Sequence, residues 1–284
     1  MLPGPQLVIA CPTCKSLARV FTLLTGNTFR ARWWTDGKRL APMMPSQPRV
    51  TKCESCGSYF WVADAKVVGE VPEPFSCRRK KLPKRWAEAP WVKHLTEGQC
   101  FEALSSRAAR NKGEEIHLRV LAWQAANDRA RFRPEVLREL RRRVVKRLAA
   151  LQDGPRGRSL ELLLRRSIED GLAALRNHPQ GLTYLHLKVM KRRLTYDIKE
   201  SVPRAPRKRS RRATQNLMRL VDLFDSGNNH ERVMKAEALR ELGGFDEAEN
   251  LLAGGVPDDY AVLAAFLREL VAKKDTTVRE ILFA

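Results

Sequence analysis

The chain of 284 residues has no long hydrophobic run and is poor in acidic residues. No stretch of about 18 uninterrupted apolar residues occurs, so we expect no transmembrane helix and no membrane partner. The first ten residues carry no cationic segment and too short an apolar run for a signal peptide, which favours a cytoplasmic location. Only 32 Asp and Glu residues oppose 53 Lys and Arg residues, and the net charge is therefore +21.

Short motifs of catalysis are also missing from the sequence. It has no phosphate-binding glycine loop, no His-Glu-x-x-His, no nucleophile elbow and no paired carboxylates in a plausible site. We therefore predict a protein that is not an enzyme and has no small-molecule substrate. An active site assembled from residues far apart in the sequence is the alternative.

Four of the six cysteines form two Cys-x-x-Cys pairs, Cys11–Cys14 and Cys53–Cys56. Each such turn brings two sulfurs within reach of one tetrahedral ion, and two turns complete the closed four-sulfur site that is typical of structural zinc. Gly57 follows the second turn and suits a positive φ, whereas Lys15 at the equivalent place departs from the usual pattern. A redox pair would need a helix within a βαβ unit, which the sequence does not indicate, and a disulfide framework is the other rival.

The sequence thus predicts one structural Zn²⁺ per chain, with the ligands Cys11, Cys14, Cys53 and Cys56. Thiolate ligands also favour a reducing compartment. Between the pairs, Leu17–Leu24 and Thr28–Trp34 have the composition of strands, and Asp36-Gly37 is a hairpin turn signal. We predict a zinc-ribbon domain over residues 1–75, in which the metal supplements a small core.

The basic charge lies in the middle of the chain. Residues 1–75 carry +4 and residues 213–284 carry −5, so residues 76–212 carry +22. We assign residues 76–112 to a basic linker that contains Trp86 and Trp91. Basic residues interleaved with tryptophan can bind single-stranded nucleic acid, but anchoring of the linker on a neighbouring domain is the interpretation that we favour.

A helical domain is predicted over residues 113–200, followed by an arginine-rich linker over residues 201–212. Apolar stripes at helical spacing predict antiparallel helices joined by short turns. Basic residues on one helix and in the linker can contact phosphates, or can belong to a solvated face. The candidates for nucleic-acid contact are Arg141, Arg142, Arg143, Arg207, Lys208, Arg209, Arg211 and Arg212.

The last segment, residues 213–284, is predicted to be a separate helical domain. Arg232–Leu252 has the pattern of two helices around a tight turn at Gly243-Gly244, and Thr276–Phe283 that of a short last helix. The hairpin resembles one tetratricopeptide repeat. The residues that carry this resemblance are Ala236, Leu242, Gly243, Phe245 and Ala248. Such repeats imply a surface for a protein partner.

The chain also resembles uncharacterised bacterial proteins that join an N-terminal zinc ribbon to a C-terminal tetratricopeptide-like region. The resemblance rests on the stretches Thr25–Phe29, Trp34–Gly37, Leu118–Asp128 and Met234–Gly243. It implies an architecture and no established activity, and the arginine-rich middle departs from the more acidic pattern expected of the group.

These observations predict an α+β fold that is mostly α. A small N-terminal β-rich zinc ribbon is followed by antiparallel helices and a tetratricopeptide-like hairpin region. The predicted function is that of a zinc-binding adaptor whose helical region takes a protein partner, because the acidic C-terminal segment suits a protein better than a nucleic acid. Nucleic-acid binding through the arginine-rich middle and the ribbon is the alternative.

Overall fold

The computed structural model describes residues 2–72, 83–131 and 209–281. Within it, residues 1–128 and 209–284 form one compact unit. A small β region at the N-terminus is followed by helices, which agrees with the predicted α+β class. Beyond residue 131, the antiparallel helices predicted within residues 113–200 lie outside the described residues.

Short antiparallel strands build the N-terminal region. β2 is central in a three-stranded sheet, with β3 on one side and β9 on the other. β1 pairs with β4, β7 pairs with β8, and β5 lies between β6 and β10. The strands are β1 (Leu2–Pro3), β2 (Gln6–Ala10), β3 (Leu17–Val20), β4 (Leu23–Thr25), β5 (Arg32–Trp34), β6 (Arg39–Leu40), β7 (Val50–Lys52), β8 (Tyr59–Trp61), β9 (Lys66–Val71) and β10 (Glu280–Ile281).

Seven α-helices lie in the described part of the chain. They are α1 (Lys84–Ala87), α2 (Glu97–Ser105), α3 (Lys112–Arg131), α4 (Arg211–Leu223), α5 (Asn229–Leu242), α6 (Phe245–Ala253) and α7 (Asp258–Ala272). Thr96 begins α2 with a reciprocal capping box to Gln99. Gly243 ends α5 with φ of +90°, where the sequence predicts the turn of the hairpin. None of these described helices is both long and apolar enough to span a bilayer.

Four hydrophobic clusters follow one another from the N-terminal β region to the last helices. Phe60 and Ile9 pack with the cysteines in the ribbon, and Trp61 packs against α2 and α3 through Leu118. On the far side of α3, Trp123 packs against α4 and α5 through Leu217. A further cluster joins α5, α6 and α7. Because α3 contributes side chains to two of these clusters, it links the N-terminal β region to the C-terminal helices.

Residues 280 and 281 form a strand inside the segment Thr276–Phe283, for which the sequence predicts a short helix. Glu280 and Ile281 pair antiparallel with Trp34 and Trp33 of β5. An extended segment satisfies the free edge of β5 and buries Ile281, which a helix at this place would not do. The chain ends assigned above to two domains, residues 1–75 and 213–284, are therefore joined by a sheet.

Two predicted linkers also contain ordered elements. Residues 76–112 include α1, α2 and the start of α3. Ser210 caps α4 through its side chain, so Arg211 and Arg212 lie in the first turn of a helix and not in an extended linker. The apolar periodicity of α4 begins only at Ala213. The sequence pattern therefore places the boundary between the arginine-rich linker and the helix too late.

Candidate metal centre

The two cysteine pairs lie at the tips of two hairpins of the same construction. The first tip joins β2 to β3, and the second joins β7 to β8. In each tip the N–H of the first cysteine donates to the carbonyl of a serine five residues later, at 2.8 Å for Cys11 and Ser16 and at 2.8 Å for Cys53 and Ser58. The chain thus repeats Cys-x-x-Cys-x-Ser, a signal that the sequence analysis missed.

Lys15 takes the same left-handed backbone conformation as Gly57. The φ of Lys15 is +63° and that of Gly57 is +73°. Each residue donates its N–H to the carbonyl of the first cysteine of its turn, Lys15 at 3.0 Å to Cys11 and Gly57 at 2.9 Å to Cys53. The departure of Lys15 from the usual sequence pattern does not change the turn.

The four sulfurs converge at one point. All four Sγ atoms lie within 4.8 Å of one another. The Sγ–Sγ distance is 3.9 Å for Cys11 and Cys56 and 3.7 Å for Cys14 and Cys53, and both of these contacts join one hairpin to the other. Cys11 and Cys53 are buried, whereas Cys14 and Cys56 are exposed. The four predicted ligands are therefore brought together and could hold a metal ion.

The hydroxyl of Ser16 supports the thiolate form of Cys14 and Cys53. The Oγ of Ser16 lies 3.1 Å from the Sγ atoms of both Cys14 and Cys53. Burial raises the pKa of Cys53, but hydrogen bonds from the Ser16 hydroxyl and from the N–H groups of Cys56 and Ser55 outweigh it and lower that pKa to about 6. The Ser16 hydroxyl and N–H lower the pKa of Cys14 as well. Cys14 and Cys53 thus favour thiolate, the form of cysteine that binds metals. At Cys56 hydrogen bonds from Ser58 lower the pKa, but burial and the neighbouring sulfurs of Cys14 and Cys53 outweigh them and raise it.

Three of the predicted nucleic-acid candidates, Arg209, Arg211 and Arg212, belong to the described residues. Arg141, Arg142, Arg143, Arg207 and Lys208 lie outside the described residues. The guanidinium of Arg212 stacks on the Phe101 ring at 4.2 Å, and Arg211 is exposed. Arg209 forms an ion pair with Glu241 inside the fold.

Arg209 belongs to a buried polar cluster that sequence reasoning missed. Its centre is the carboxylate of Glu241, whose side chain is fully buried and accepts from Trp123 Nε1 at 3.1 Å and from Asn127 Nδ2 at 2.9 Å. Asn127 Nδ2 also donates to Asp36 Oδ2 at 3.0 Å. Burial raises the pKa of Glu241, while the charge of Arg209 opposes this shift. The cluster ties the β5–β6 turn to α3 and α5.

The sequence stretches quoted above for a family resemblance contain three residues of this cluster. Asp36 lies in Trp34–Gly37, Asn127 in Leu118–Asp128 and Glu241 in Met234–Gly243, three of the four stretches on which the expected resemblance rests. Comparison with protein-family models, with curated proteins and with solved structures finds no match to this chain.

Proposed function

We propose that the four cysteines bind one Zn²⁺ as a structural ion and that the chain acts as a non-catalytic interaction protein. The convergence of the four sulfurs carries this proposal. Ligands about 2.3 Å from a tetrahedral zinc lie about 3.8 Å apart, and the two inter-hairpin distances of 3.7 and 3.9 Å agree with that edge. Four protein ligands leave no open position for a substrate, which supports a structural role.

Metal analysis of the purified full chain tests the zinc proposal. We expect about one zinc per chain, and loss of that zinc in Cys53→Ser. Cys100→Ser is the matched control, because Cys100 is fully buried in α2 and burial raises its pKa to about 12. A finding of iron in place of zinc would change the identity of the proposed ion and not the ligands, since a four-sulfur site accepts both metals. Metal-free protein with freely titratable Cys11 and Cys14 would contradict the proposal.

The proposed protein partner binds the helical region. Two observations support this surface. Residues 213–284 carry −5, in contrast to the rest of the chain, and large apolar side chains are exposed on α4 and α7. Met218 is 56% exposed and Val262 is 58% exposed. A tetratricopeptide-like hairpin between these helices would suit a peptide or helix of a partner.

Affinity capture followed by titration with the identified partner tests this surface. Met218→Arg and Val262→Arg each place a charge on an exposed apolar position, so we expect weaker binding without loss of fold. Leu24→Arg is the control, because Leu24 is 60% exposed but lies on β4 of the ribbon. Equal binding by all three variants, or loss only in Leu24→Arg, would contradict the helical surface.

A further inference from the structure

A groove lies beside the first cysteine hairpin. It has a volume of about 730 Å³, within the range of roughly 300–1,000 Å³ that is usual for ligand sites. Its walls come from the hairpin tip, from β9 and from α1. The side chains that line it include Pro12, Lys15, Lys66, Val68, Arg85 and Trp86. The groove therefore combines an apolar lining with cations.

The cations of the groove come from three separate elements. Lys15 belongs to the hairpin tip, Lys66 to β9 and Arg85 to α1, and all three are exposed. Asp64 also lines the groove, but its carboxylate pairs with Arg110, with an Nη1–Oδ2 distance of 2.8 Å. The groove thus presents three positive charges and one anion that is already neutralised, an arrangement suited to phosphates.

The aromatic wall of the groove is the half-buried ring of Trp86. Its outer edge occupies the space beside Gly69 on β9, where a Cβ would overlap the ring. This contact fixes Trp86 on the sheet, as the anchoring interpretation of the basic segment expects. Trp91, the other tryptophan of that segment, differs because the guanidinium of Arg19 lies 4.4 Å from its ring centroid. Trp86 therefore offers the groove an aromatic surface, while that of Trp91 is covered by a cation of the protein.

We propose that this groove binds single-stranded nucleic acid, with a base against Trp86 and neighbouring phosphates on Lys15, Lys66 and Arg85. A single strand supplies unstacked bases and a continuous row of phosphates, and it is held by aromatic stacking combined with positive charge. A duplex keeps its bases stacked and paired, so it would use the cations alone. The net charge of +21 assists the approach of any polyanion. This inference is independent of the proposed protein partner of the helices.

Binding of the metal-containing full chain to a labelled single-stranded oligonucleotide of mixed sequence, followed by fluorescence anisotropy, tests the aromatic contact. We expect Trp86→Ala to weaken binding about 5- to 150-fold, the usual range for loss of one stacked base. Trp91→Ala is the matched control and should bind as the wild type does. Equal affinities of the wild type and Trp86→Ala would overturn the proposal.

A salt series tests the phosphate contacts. Lys66→Gln and Arg85→Gln should each make the dependence of log K on log salt shallower by about 0.7, the expected contribution of one contact to a single strand. Lys84→Gln is the control, since Lys84 is exposed, lies next to Arg85 and pairs with Glu88. Four thiolates around a divalent ion leave a charge of −2, which nearby lysines could merely offset. If Lys66→Gln lowers metal retention without changing the salt slope, the lysine serves the metal and its phosphate contact is refuted.

Competitors separate the chemistries that share these charges. Polyglutamate should compete poorly once salt is raised, because it has no bases, and duplex DNA should compete less well than the single strand. Adenosine monophosphate should bind far more weakly than the strand, because it reaches only part of the groove. Equal competition by polyglutamate would point to an acidic protein, and equal competition by the mononucleotide would point to a free nucleotide; either result overturns the assignment to a single strand. Metal content measured for every variant shows that the hairpin tips are intact.

Discussion

At the residue scale, Lys15 and Gly57 hold equivalent places in the two cysteine hairpins and differ in what their backbone conformation costs. Both have positive φ, at +63° and +73°. Glycine reaches this region without steric penalty, whereas a residue with a Cβ pays roughly 1–2 kcal/mol. The second hairpin therefore has the better residue for its turn, and the first tolerates a strained one.

Exchanging the residue types at these two places should have effects of opposite sign. We expect Gly57→Ala to lower the free energy of unfolding by about 1 kcal/mol. Lys15→Gly should raise it by up to about 1 kcal/mol, because relief of strain exceeds the added entropy of the unfolded chain. Urea unfolding followed by tryptophan fluorescence measures both changes. A loss of stability in Lys15→Gly would show that the contact of Lys15 Nζ with the Pro12 carbonyl, at 2.8 Å, matters more than backbone strain.

Arg209 is the residue whose role changes most between sequence and structure. The sequence offers it as a candidate phosphate ligand, and the structure places it against the buried carboxylate of Glu241. Arg209→Gln should lower the free energy of unfolding by about 3 kcal/mol, because removing one partner leaves a buried charge without compensation. The double variant Arg209→Gln with Glu241→Gln should recover part of that loss.

Arg211→Gln is the control for this cycle, since Arg211 is exposed in the same turn and should change stability by less than about 0.5 kcal/mol. The stabilities of the variants are compared from their denaturant midpoints, provided that the dependence of the unfolding free energy on denaturant concentration is the same for each. Wild-type stability of Arg209→Gln would mean that Trp123 and Asn127 alone satisfy Glu241, and that the ion pair contributes nothing.

At the scale of elements, the sequence predicts the helices and hairpins that are marked by a local sequence pattern. The turn at Gly243-Gly244 separates α5 from α6 as predicted, because two glycines interrupt a helical pattern. The cysteine hairpins follow from spacing alone. β10 does not follow, because two residues at the end of the chain become a strand only through β5, which lies about 250 residues away. The buried polar cluster could not be predicted for a different reason. Polar residues at core positions break the apolar patterns on which sequence reasoning relies.

The pairing of β10 with β5 should contribute measurably to stability. Ile281 is 7% exposed, and Ile281→Ala should lower the free energy of unfolding by about 2–3 kcal/mol through lost burial and the cavity left behind. Thr276→Ala, at an exposed position of the same segment, should change it by less than about 0.5 kcal/mol. Urea denaturation monitored by fluorescence distinguishes the two variants. Equal stabilities of Ile281→Ala and Thr276→Ala would show that the pairing of β10 with β5 contributes little to stability.

At the scale of the whole molecule, the ribbon and the C-terminal helices depend on each other through the β5–β6 turn. Thr35 and Asp36 are fully buried although both are polar. The carbonyl of Asp36 accepts from Gln124 Nε2 at 3.1 Å, and its carboxylate accepts from Asn127 of the same helix, α3. If the N-terminal β region opens, Gln124 and Asn127 of α3 lose their hydrogen bonds to Asp36, and the loss at the buried Asn127 is costly for the helices as well.

Removal of the metal should therefore weaken the helical part together with the ribbon. We expect a chelator to lower the temperature at which the ribbon unfolds and to raise hydrogen exchange in α5 and α6 at the same temperature, because binding to the native state stabilises whatever unfolds with it. The stabilisation should grow by about 1.4 kcal/mol for each tenfold excess of free zinc over its dissociation constant. Cys53→Ser is the control, since the chelator should have no further effect on a chain that has lost a ligand. Rapid exchange confined to the ribbon, with α5 and α6 protected as before, would show that the two parts unfold independently and that the shared polar cluster does not couple them.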